Sequence, residues 1–501
     1  MDSGKRRLLA VIAESMARMA TRYGVPASDM DHVALTTAVG ELFRREETGA
    51  IKTFYSEGYA LALRLSAMSE QDGVAASDIA RLHRLPRSIE DMADFAPSQD
   101  LLFELKKVLS SLIANSGYPS DSNADLTNII SSLCKWEGDH HIGSPLPAAK
   151  GKDRYDFKQM LESSARAQAG AFDGAQVMEF TRLIGGFTNE TTLFKLAGKD
   201  GRIWALVSRA NTGLELGIDG RDIAGEFHLL RYLYQGGVSV AEPMWLESDV
   251  ERYGTKFLVT RKVEGENFGT VVESQRRTSS QIRALAIQLA KIHCLPLNGA
   301  HPDLQLSHID MELAGRSMTE GVSNYLERWI RLWRSTGLEN SPTIEATLNW
   351  LRTNIPVVDD APVLVHGDYA LHNIMMQGNE ITGVLDWEMS HLGNPAEDIS
   401  GLLASFSNEG DAEEFMRFYI ESGGRPITAF EREYCNIFRY FMLYVVTLES
   451  QLRFYSLPEV HPEFLVLGSF VQLPAQRMAQ AIEAADIAKT QRITTVAKSH
   501  G

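Results

Sequence analysis

Residues 363–398 read VLVHGDYALHNIMMQGNEITGVLDWEMSHLGNPAED, and this stretch decides the fold of the chain. A short apolar run at residues 362–365, bounded by polar residues, predicts a buried strand. Two further apolar runs, residues 374–376 and 381–385, lie on either side of a polar turn segment. This pattern predicts a β-hairpin in which Gly378 and Asn379 supply the turn.

The open end of this predicted hairpin directs polar side chains toward one point. We expect Met376 to pair with Gly383, a register that sets Asn373 opposite Asp386. Directly opposed residues have Cβ atoms about 4.5–5.5 Å apart, so an amide oxygen and a carboxylate would converge. Mg²⁺ accepts such hard oxygen ligands, and Asp368 adds a second carboxylate that could take a hydroxyl proton. This is a layout for phosphoryl transfer; a surface hairpin with unrelated acids is the alternative.

The order HGDxxxxN at residues 366–373, followed by DWE at residues 386–388, resembles the core of the aminoglycoside phosphotransferase and choline kinase-like family, whose members are relatives of the protein kinases. With LGNP at residues 392–395 and Asp398, it resembles in particular the phosphotransferase domains fused to acyl-CoA dehydrogenases in animals. The resemblance implies an α+β, bilobal protein-kinase-like fold, with a small β-rich N-lobe and a large helical C-lobe. It also implies ATP and Mg²⁺ as cofactors.

The resemblance further implies roles for individual residues. Asp368 would be the catalytic residue that positions and deprotonates the acceptor hydroxyl, while Asn373 and Asp386 would hold the metal. Asp398 would pin the catalytic loop through backbone N–H groups, and His366 would hold it by hydrogen bonding.

The third strand of this fold carries a cation for the α- and β-phosphates, and the next helix carries its Glu partner, for which Glu226 is well placed. The strand reads ALVSR at residues 205–209, so the cation position falls on Ser208 or Arg209. Strand alternation puts these two residues on opposite faces. We predict Arg209, with a strand shift or bulge.

Two other stretches resemble parts of a nucleotide site. GGFTN at residues 185–189 lies at the first turn of the predicted N-lobe, where glycine would let the backbone approach phosphates, although a tight hairpin needs similar residues. RKVEG at residues 261–265 resembles the hinge, where backbone groups would pair with adenine, although a simple interlobe connector fits as well. The predicted nucleotide contacts in these stretches are Gly186, Thr188, Asn189, Arg261 and Val263.

Composition and charge limit the class of protein. The chain has 501 residues, of which 44% are hydrophobic and 23% charged, as is usual for globular proteins. Its net charge of −16 opposes binding to nucleic acid or to anionic membranes. Three cysteines far apart, without CxxC spacing, favour a reducing, cytoplasmic location. No stretch approaches the roughly 18 apolar residues of a membrane span.

At this length two or three domains are expected. We predict an N-terminal all-helical accessory domain (1–142), a linker with a lead-in helix (143–176), the N-lobe (177–265), the C-lobe (266–490) and a tail (491–501). The accessory domain would form a homodimer, cover the substrate or add stability. DHH at residues 139–141 suggests a transition-metal site, but adjacent side chains point in different directions, which favours a polar segment at a domain edge.

These features together predict an ATP- and Mg²⁺-dependent phosphotransferase that acts on a hydroxyl of a small molecule. The fused-domain resemblance implies a hydroxyacyl-CoA or another catabolic alcohol as acceptor, whereas other branches of the family act on aminoglycosides. A nucleotide-binding pseudokinase or assembly module is the second hypothesis, and a metal-dependent hydrolase that uses residues 139–141 is the third. The acceptor, and the choice between ATP and GTP, stay open.

Overall fold

The structure is a computed structural model. Its described residues are 55–63, 80–85, 101, 104–112, 132, 157–168, 170–172, 174–182, 189–198, 200–211, 223–269, 277–297, 299, 301–335, 341–406, 409–456, 474, 477, 478, 480–482 and 485. In the predicted accessory domain the described stretches at 55–63, 80–82 and 104–112 are helical, whereas residues 139–141 lie outside the described residues. None of the helices described is both long enough and apolar enough to cross a membrane.

The Cα positions group the chain into two compact units. One consists of Met1–Lys150, Leu326–Pro356 and Glu433–Gly501, and the other of Gly151–Tyr325 and Val357–Arg432. In the first unit, Trp350 and Tyr434 stack with ring centroids 6.0 Å apart, and the Tyr434 hydroxyl donates to the Leu351 carbonyl at 3.2 Å. The second unit contains every described strand and carries the candidate site. The five-part division predicted from the sequence stays a prediction.

The second unit begins with a β-rich lobe. Its elements in chain order are α1 (Phe157–Ala167), β1 (Gln176–Arg182), β2 (Asn189–Ala197), β3 (Ile203–Asn211), α2 (Ile223–Gln235), β4 (Pro243–Glu247), α3 (Val250–Tyr253) and β5 (Phe257–Arg261). The five strands form one antiparallel sheet in the order β1-β2-β3-β5-β4. The predicted β-rich small lobe is confirmed.

Strand β3 places its cation without any irregularity. Leu206, Ser208 and Ala210 are buried on one face of the strand, so Arg209 lies on the other face. The register of β3 is unbroken against both neighbours, and Arg209 lies opposite Leu258 of β5. The predicted strand shift or bulge is therefore wrong, because ordinary alternation already separates Arg209 from Ser208.

Helix α1 covers the face of the sheet that Arg209 does not occupy. Leu161 of this helix packs in one apolar cluster with Phe194 and Trp245. Ser164 adds polar contacts: its hydroxyl donates to Glu247 at 2.7 Å and accepts from the Trp245 indole N–H at 2.8 Å. One face of the sheet is thus core, and the opposite face is left for the site.

The remaining elements are mostly helices, as predicted. They are β6 (Glu266–Asn267), α4 (Ser279–His293), α5 (Pro302–Leu306), α6 (Met318–Ser335), α7 (Pro342–Thr353), β7 (Val363–Val365), β8 (Ile374–Gln377), β9 (Glu380–Val384), β10 (His391–Gly393), α8 (Ala396–Leu403), α9 (Glu409–Glu421) and α10 (Ala429–Ser456). A capping box between Thr278 and Gln281 starts α4. The strands form a β10-β7 pair and a β6-β8-β9 sheet.

The predicted strand at 362–365 and the predicted hairpin turn are confirmed. Strand β7 covers Val363–Val365 and pairs with β10. In the hairpin, Gln377 pairs with Glu380, which leaves Gly378 and Asn379 in the turn. Gly378 has a φ of 64°, a conformation that favours glycine.

The register at the open end of the hairpin differs from the predicted one. Gly383 pairs with Met375, so the predicted pairing, one residue further along β8, is wrong. Asn373 consequently lies opposite Leu385, whose backbone N–H donates to the Asn373 carbonyl at 2.8 Å. The predicted direct opposition of Asn373 and Asp386 is wrong as well, although both residues flank the open end.

The cause of this shift is a tight turn followed by a bulge. Thr382 is the extra residue between the two registers of β9. Its hydroxyl donates to the Glu264 carbonyl at 2.6 Å, which joins the hairpin to the stretch after β5. At Gly265 (φ 108°) a Cβ would lie 2.5 Å from the Met376 carbonyl oxygen. The bulge is therefore fixed by a contact outside the hairpin, which the hairpin's own sequence pattern does not contain.

Candidate active site

The loop between β7 and β8 is held by hydrogen bonds on two sides. The Asp398 carboxylate accepts from the backbone N–H of His366 at 2.8 Å and of Gly367 at 2.9 Å. His366 Nε2 donates to the Leu385 carbonyl at 2.9 Å, and its Nδ1 accepts from the backbone N–H of Asp368 at 3.2 Å. These contacts fix the backbone of Asp368 and agree with the roles implied for Asp398 and His366.

The second residue of the loop has to be glycine. Gly367 has a φ of 85°, and a Cβ there would lie 2.5 Å from the Met389 carbonyl oxygen. The loop therefore passes directly against the turn that follows Asp386, and any side chain at Gly367 would push the two apart.

A buried hydrogen-bond network of His293 and Tyr419 contacts Asp398. His293 Nε2 lies 3.1 Å from the Asp398 carboxylate, and its Nδ1 lies 2.7 Å from the Tyr419 hydroxyl. Burial alone would raise the pKa of Asp398, but the hydrogen bond from His293 and the backbone N–H of His366 hold that pKa below its ordinary value. Burial raises the pKa of Tyr419. The anchor of the loop is therefore an ionised carboxylate inside the core.

Asp368 is oriented by two side chains from the end of its own loop. A short 3₁₀ turn, Leu371–Asn373, carries both of them back toward it. Asn373 Nδ2 donates to the Asp368 carbonyl and to its Oδ2, each at 3.0 Å, and His372 Nε2 lies 3.2 Å from the same Oδ2. Asn267 Nδ2 in turn donates to the His372 carbonyl at 2.6 Å. The Asp368 side chain is 33% exposed, so it stays accessible to a substrate.

Asp386 follows β9 in an unusual backbone conformation. Its φ of 66° is positive, which is the case for no other non-glycine residue in the part of the chain that the structure describes. Aspartate tolerates this left-handed region better than most residues, and such strain is concentrated at functional sites. The next residue, Trp387, is buried, and its indole N–H donates to the Val384 carbonyl at 3.0 Å. The Asp386 side chain remains 42% exposed.

One guanidinium joins three carboxylates across the site. Arg209 Nη1 lies 2.5 Å from Glu226 Oε1, and Nη2 lies 2.9 Å from Asp386 Oδ1 and 3.6 Å from Glu388 Oε2. Burial would lower the pKa of Arg209, but the three carboxylates raise it above its ordinary value. The third strand and the helix after it therefore present the cation–carboxylate pair that the sequence predicts, now joined to Asp386.

The structure brings the predicted residues into two groups beside the open end of the hairpin. Asp368 contacts Asn373 in one group. Arg209 contacts Glu226 and Asp386 in the other. Asn373 directly precedes β8 and Asp386 lies two residues after β9, so the hairpin fixes both groups.

Arg261 is not brought to this site by its side chain. It lies opposite Leu206 of β3, on the face of the sheet away from Arg209. Its Nε is 2.8 Å from the Glu242 carboxylate, and its guanidinium lies 5.0 Å from the centroid of the Trp204 ring. The contact predicted for Arg261 is one through hinge backbone groups, which does not depend on the direction of this side chain, and it stays a prediction.

The other predicted nucleotide contacts are only partly described. Gly186 and Thr188 lie outside the described residues, and Asn189 is described as the first residue of β2. Val263 packs on β9 so closely that a Cβ on Gly383 would lie 2.9 Å from its Cγ1. The roles predicted for these residues stay predictions.

The donor set suits Mg²⁺ better than a transition metal. Asp386 and Glu388 offer carboxylate oxygens. Asn373 directs its amide nitrogen at Asp368, which leaves its amide oxygen available as a metal ligand. Within the described residues no group of three His, Cys, Asp or Glu side chains is arranged to hold a metal alone. A site with few protein ligands, completed by phosphate oxygens and water, fits Mg²⁺.

Sequence reasoning missed His372 as a partner of Asp368. The two are four residues apart, and they meet because a 3₁₀ turn folds this loop back on itself. A loop without a periodic pattern gives no indication of such a turn, so the contact becomes visible only in the structure.

The small antiparallel lobe, the Arg209–Glu226 pair and the pinned loop between β7 and β8 define a kinase-like fold. The sequence model of the phosphotransferase enzyme family, APH, matches residues 182–435, half of the chain, and the chain belongs to this family. The predicted family and the predicted kinase-like α+β fold are thereby confirmed.

Each similar protein aligns with this chain over only part of either sequence. Acyl-CoA dehydrogenase family member 11 of Gallus gallus is 28% identical over 180 residues, which cover 35% of this chain and 22% of that protein. Acyl-CoA dehydrogenase family member 10 of Mus musculus is 26% identical over 311 residues, which cover 57% and 27%. The chain thus spans about a quarter of the length of these relatives. The crystal structure of macrolide 2'-phosphotransferase MphH from Brachybacterium faecium is 20% identical with a TM-score of 0.41, over 58% of this chain and 91% of that one.

Proposed function

We propose that this chain transfers the γ-phosphate of ATP, with Mg²⁺, to a hydroxyl group of a small molecule. The observation that carries the proposal is the accessible Asp368 carboxylate, held by Asn373 and His372 beside the Arg209 network. The family supports a phosphotransferase, and the donor set supports Mg²⁺.

Each residue has a step to perform. Asp368 orients the acceptor hydroxyl and takes its proton, while the hydroxyl oxygen bonds to the γ-phosphorus and the bond to the β–γ bridging oxygen breaks to release ADP. Asn373 and Asp386 would hold the metal, and Arg209, braced by Glu226, orients the remaining phosphates. Bound Mg²⁺ would neutralise charge that develops on the phosphate oxygens.

The acceptor we propose is a hydroxyacyl-CoA or a related catabolic alcohol. This rests on the names of the aligned relatives, which are acyl-CoA dehydrogenase family members. An aminoglycoside acceptor and a pseudokinase without turnover are the other hypotheses. The presence of Asp368, Asn373 and Asp386 argues against the pseudokinase, because a module without turnover needs none of them. A homodimer through residues 1–142 and a cytoplasmic location stay predictions.

ADP release over a panel of hydroxyacyl-CoAs, aminoglycosides and simple alcohols tests the proposal. We expect Asp368→Asn to lower kcat by roughly 10²–10⁴-fold, the usual contribution of a positioned base, with nucleotide affinity retained. Asp386→Asn should instead lose Mg²⁺-dependent nucleotide binding. The matched control is Asp200→Asn, an exposed turn carboxylate away from the site. Full turnover in both site variants would overturn the proposal, and nucleotide binding with no turnover on any acceptor would favour the pseudokinase.

A further inference from the structure

Residues 301–309, between α4 and α6, pack against the helix that carries Glu226; we call them the clamp segment. Asp303, in the short helix α5, is buried, and its Oδ1 lies 3.0 Å from His228 Nδ1 and 3.6 Å from Arg231 Nη1, both on α2. Leu304 lies in the same apolar cluster as Leu229 and Leu233 of α2. Helix α2 is therefore fastened to the clamp segment by polar and apolar contacts together.

The backbone of α2 lies directly on the clamp segment next to Glu226. A Cβ on Gly225 would lie 2.7 Å from the backbone nitrogen of His308, closer than non-bonded atoms approach. Glycine weakens a helix relative to alanine, so local helix stability does not account for Gly225. Close approach to His308 does account for it, and this approach fixes the position of the adjacent Glu226.

The same segment also reaches the loop that carries Asp386. His308 Nε2 lies 2.8 Å from Ser390 Oγ, and the Ser390 hydroxyl donates to the Trp387 carbonyl at 2.6 Å. Because that hydroxyl proton is already used, Ser390 Oγ accepts from His308. The clamp segment thus contacts both elements whose carboxylates meet on Arg209.

We propose that the clamp segment sets the affinity for Mg·ATP by positioning Glu226 and the Asp386 loop around Arg209. Asp303 and His308 are positioning residues, because they act through α2 and through Ser390. In kinase-like sites the cation–Glu pair and the metal-binding Asp must both be in place for phosphoryl transfer. The inference rests on the proposed function for the identity of the nucleotide.

The first test places a methyl group between the two elements. Gly225→Ala should weaken Mg·ATP binding at least about 10-fold by calorimetry, because the methyl group displaces α2 and Glu226 with it. Gly315→Ala is the matched control, since nothing lies within 4 Å of a Cβ there, and it should bind as the wild type does. A folded Gly225→Ala protein with unchanged affinity would overturn the proposal.

The second test decides the question if Gly225→Ala does not fold. Asp303→Ala removes the acceptor of His228, whereas Asp303→Asn keeps an oxygen that can accept a hydrogen bond. We expect Asp303→Ala to weaken Mg·ATP binding about 10-fold and Asp303→Asn to restore most of the affinity. Equal affinity of wild type and Asp303→Ala, with only a lower Tm, would mean that the segment is packing alone and would overturn the proposal.

Turnover measurements add a readout that packing alone would not move. Asp303→Ala should raise KM for ATP and leave KM for the acceptor unchanged, because the contacts above act on the Arg209 side of the site. Equal rises in both KM values would contradict the proposal. Nucleotide affinity is measured without acceptor, so a wild type that binds Mg·ATP without turnover would count against the proposed function and leave this inference standing.

Discussion

Arg209 joins Glu226 of the small lobe to Asp386, which follows β9. Its two terminal nitrogens contact different carboxylates, Nη1 on Glu226 and Nη2 on Asp386. A guanidinium has a fixed planar fork, whereas a lysine ammonium is a single point charge. The contact of Arg209 with both Glu226 and Asp386 therefore requires arginine geometry as well as positive charge.

This geometry predicts the effect of a charge-conserving substitution. Arg209→Lys keeps the charge but loses one of two charge-assisted hydrogen bonds, each worth about 1.5–3 kcal/mol. We expect Mg·ATP affinity to fall about 10–100-fold by calorimetry. Arg202→Lys is the control, since Arg202 lies over the Trp204 ring at 3.8 Å on the far side of the sheet. Wild-type affinity in Arg209→Lys would show that charge alone is enough.

At the scale of elements, Asp398 joins α8 to the loop between β7 and β8. This carboxylate accepts two backbone N–H groups of the loop and also contacts His293 of α4. Asp398, His366 and His293 are buried and Gly367 is partly buried, so removal of the carboxylate leaves buried donors without an acceptor.

We expect Asp398→Ala to lower the free energy of unfolding by about 3–5 kcal/mol, the usual cost of breaking a buried ionic contact. Urea denaturation measures this loss. Asp249→Ala, at an exposed cap of the short helix α3, should cost about 1 kcal/mol. A loss no larger for Asp398→Ala than for Asp249→Ala would contradict the assigned role.

The sequence predicts these elements unevenly, for physical reasons. Strand β7 and the two-residue hairpin turn follow from local residue types, and the structure confirms both. The register beyond the turn does not follow, because the bulge at Thr382 is fixed by Glu264, far away in the chain. The direction of the Arg261 side chain does not follow from the hinge motif either, because it depends on strand pairing with Leu206.

At the scale of the whole molecule, the family region does not coincide with one compact unit. It covers residues 182–435, which include Leu326–Pro356 of the first unit as well as most of the second. The loop between β7 and β8, the clamp segment and the Arg209 network all lie in the second unit.

Glu431, in the second unit, gives the chain an acid-sensitive contribution to stability. Burial would raise the pKa of this carboxyl, but hydrogen bonds from the Thr428 N–H, Arg425 and Asn394 hold it below the ordinary 4.5. A lowered folded-state pKa stabilises the folded chain at pH values above the ordinary pKa. This contribution disappears as the pH falls through the folded-state pKa.

In urea denaturation, the wild type should exceed Glu431→Gln in free energy of unfolding by about 1.5–3 kcal/mol at pH 7, and the two should converge below pH 4.5. The difference cancels the common effect of net charge. Glu421→Gln, on an exposed part of α9, should follow the wild type at every pH. Parallel curves for wild type and Glu431→Gln down to pH 3 would contradict the prediction.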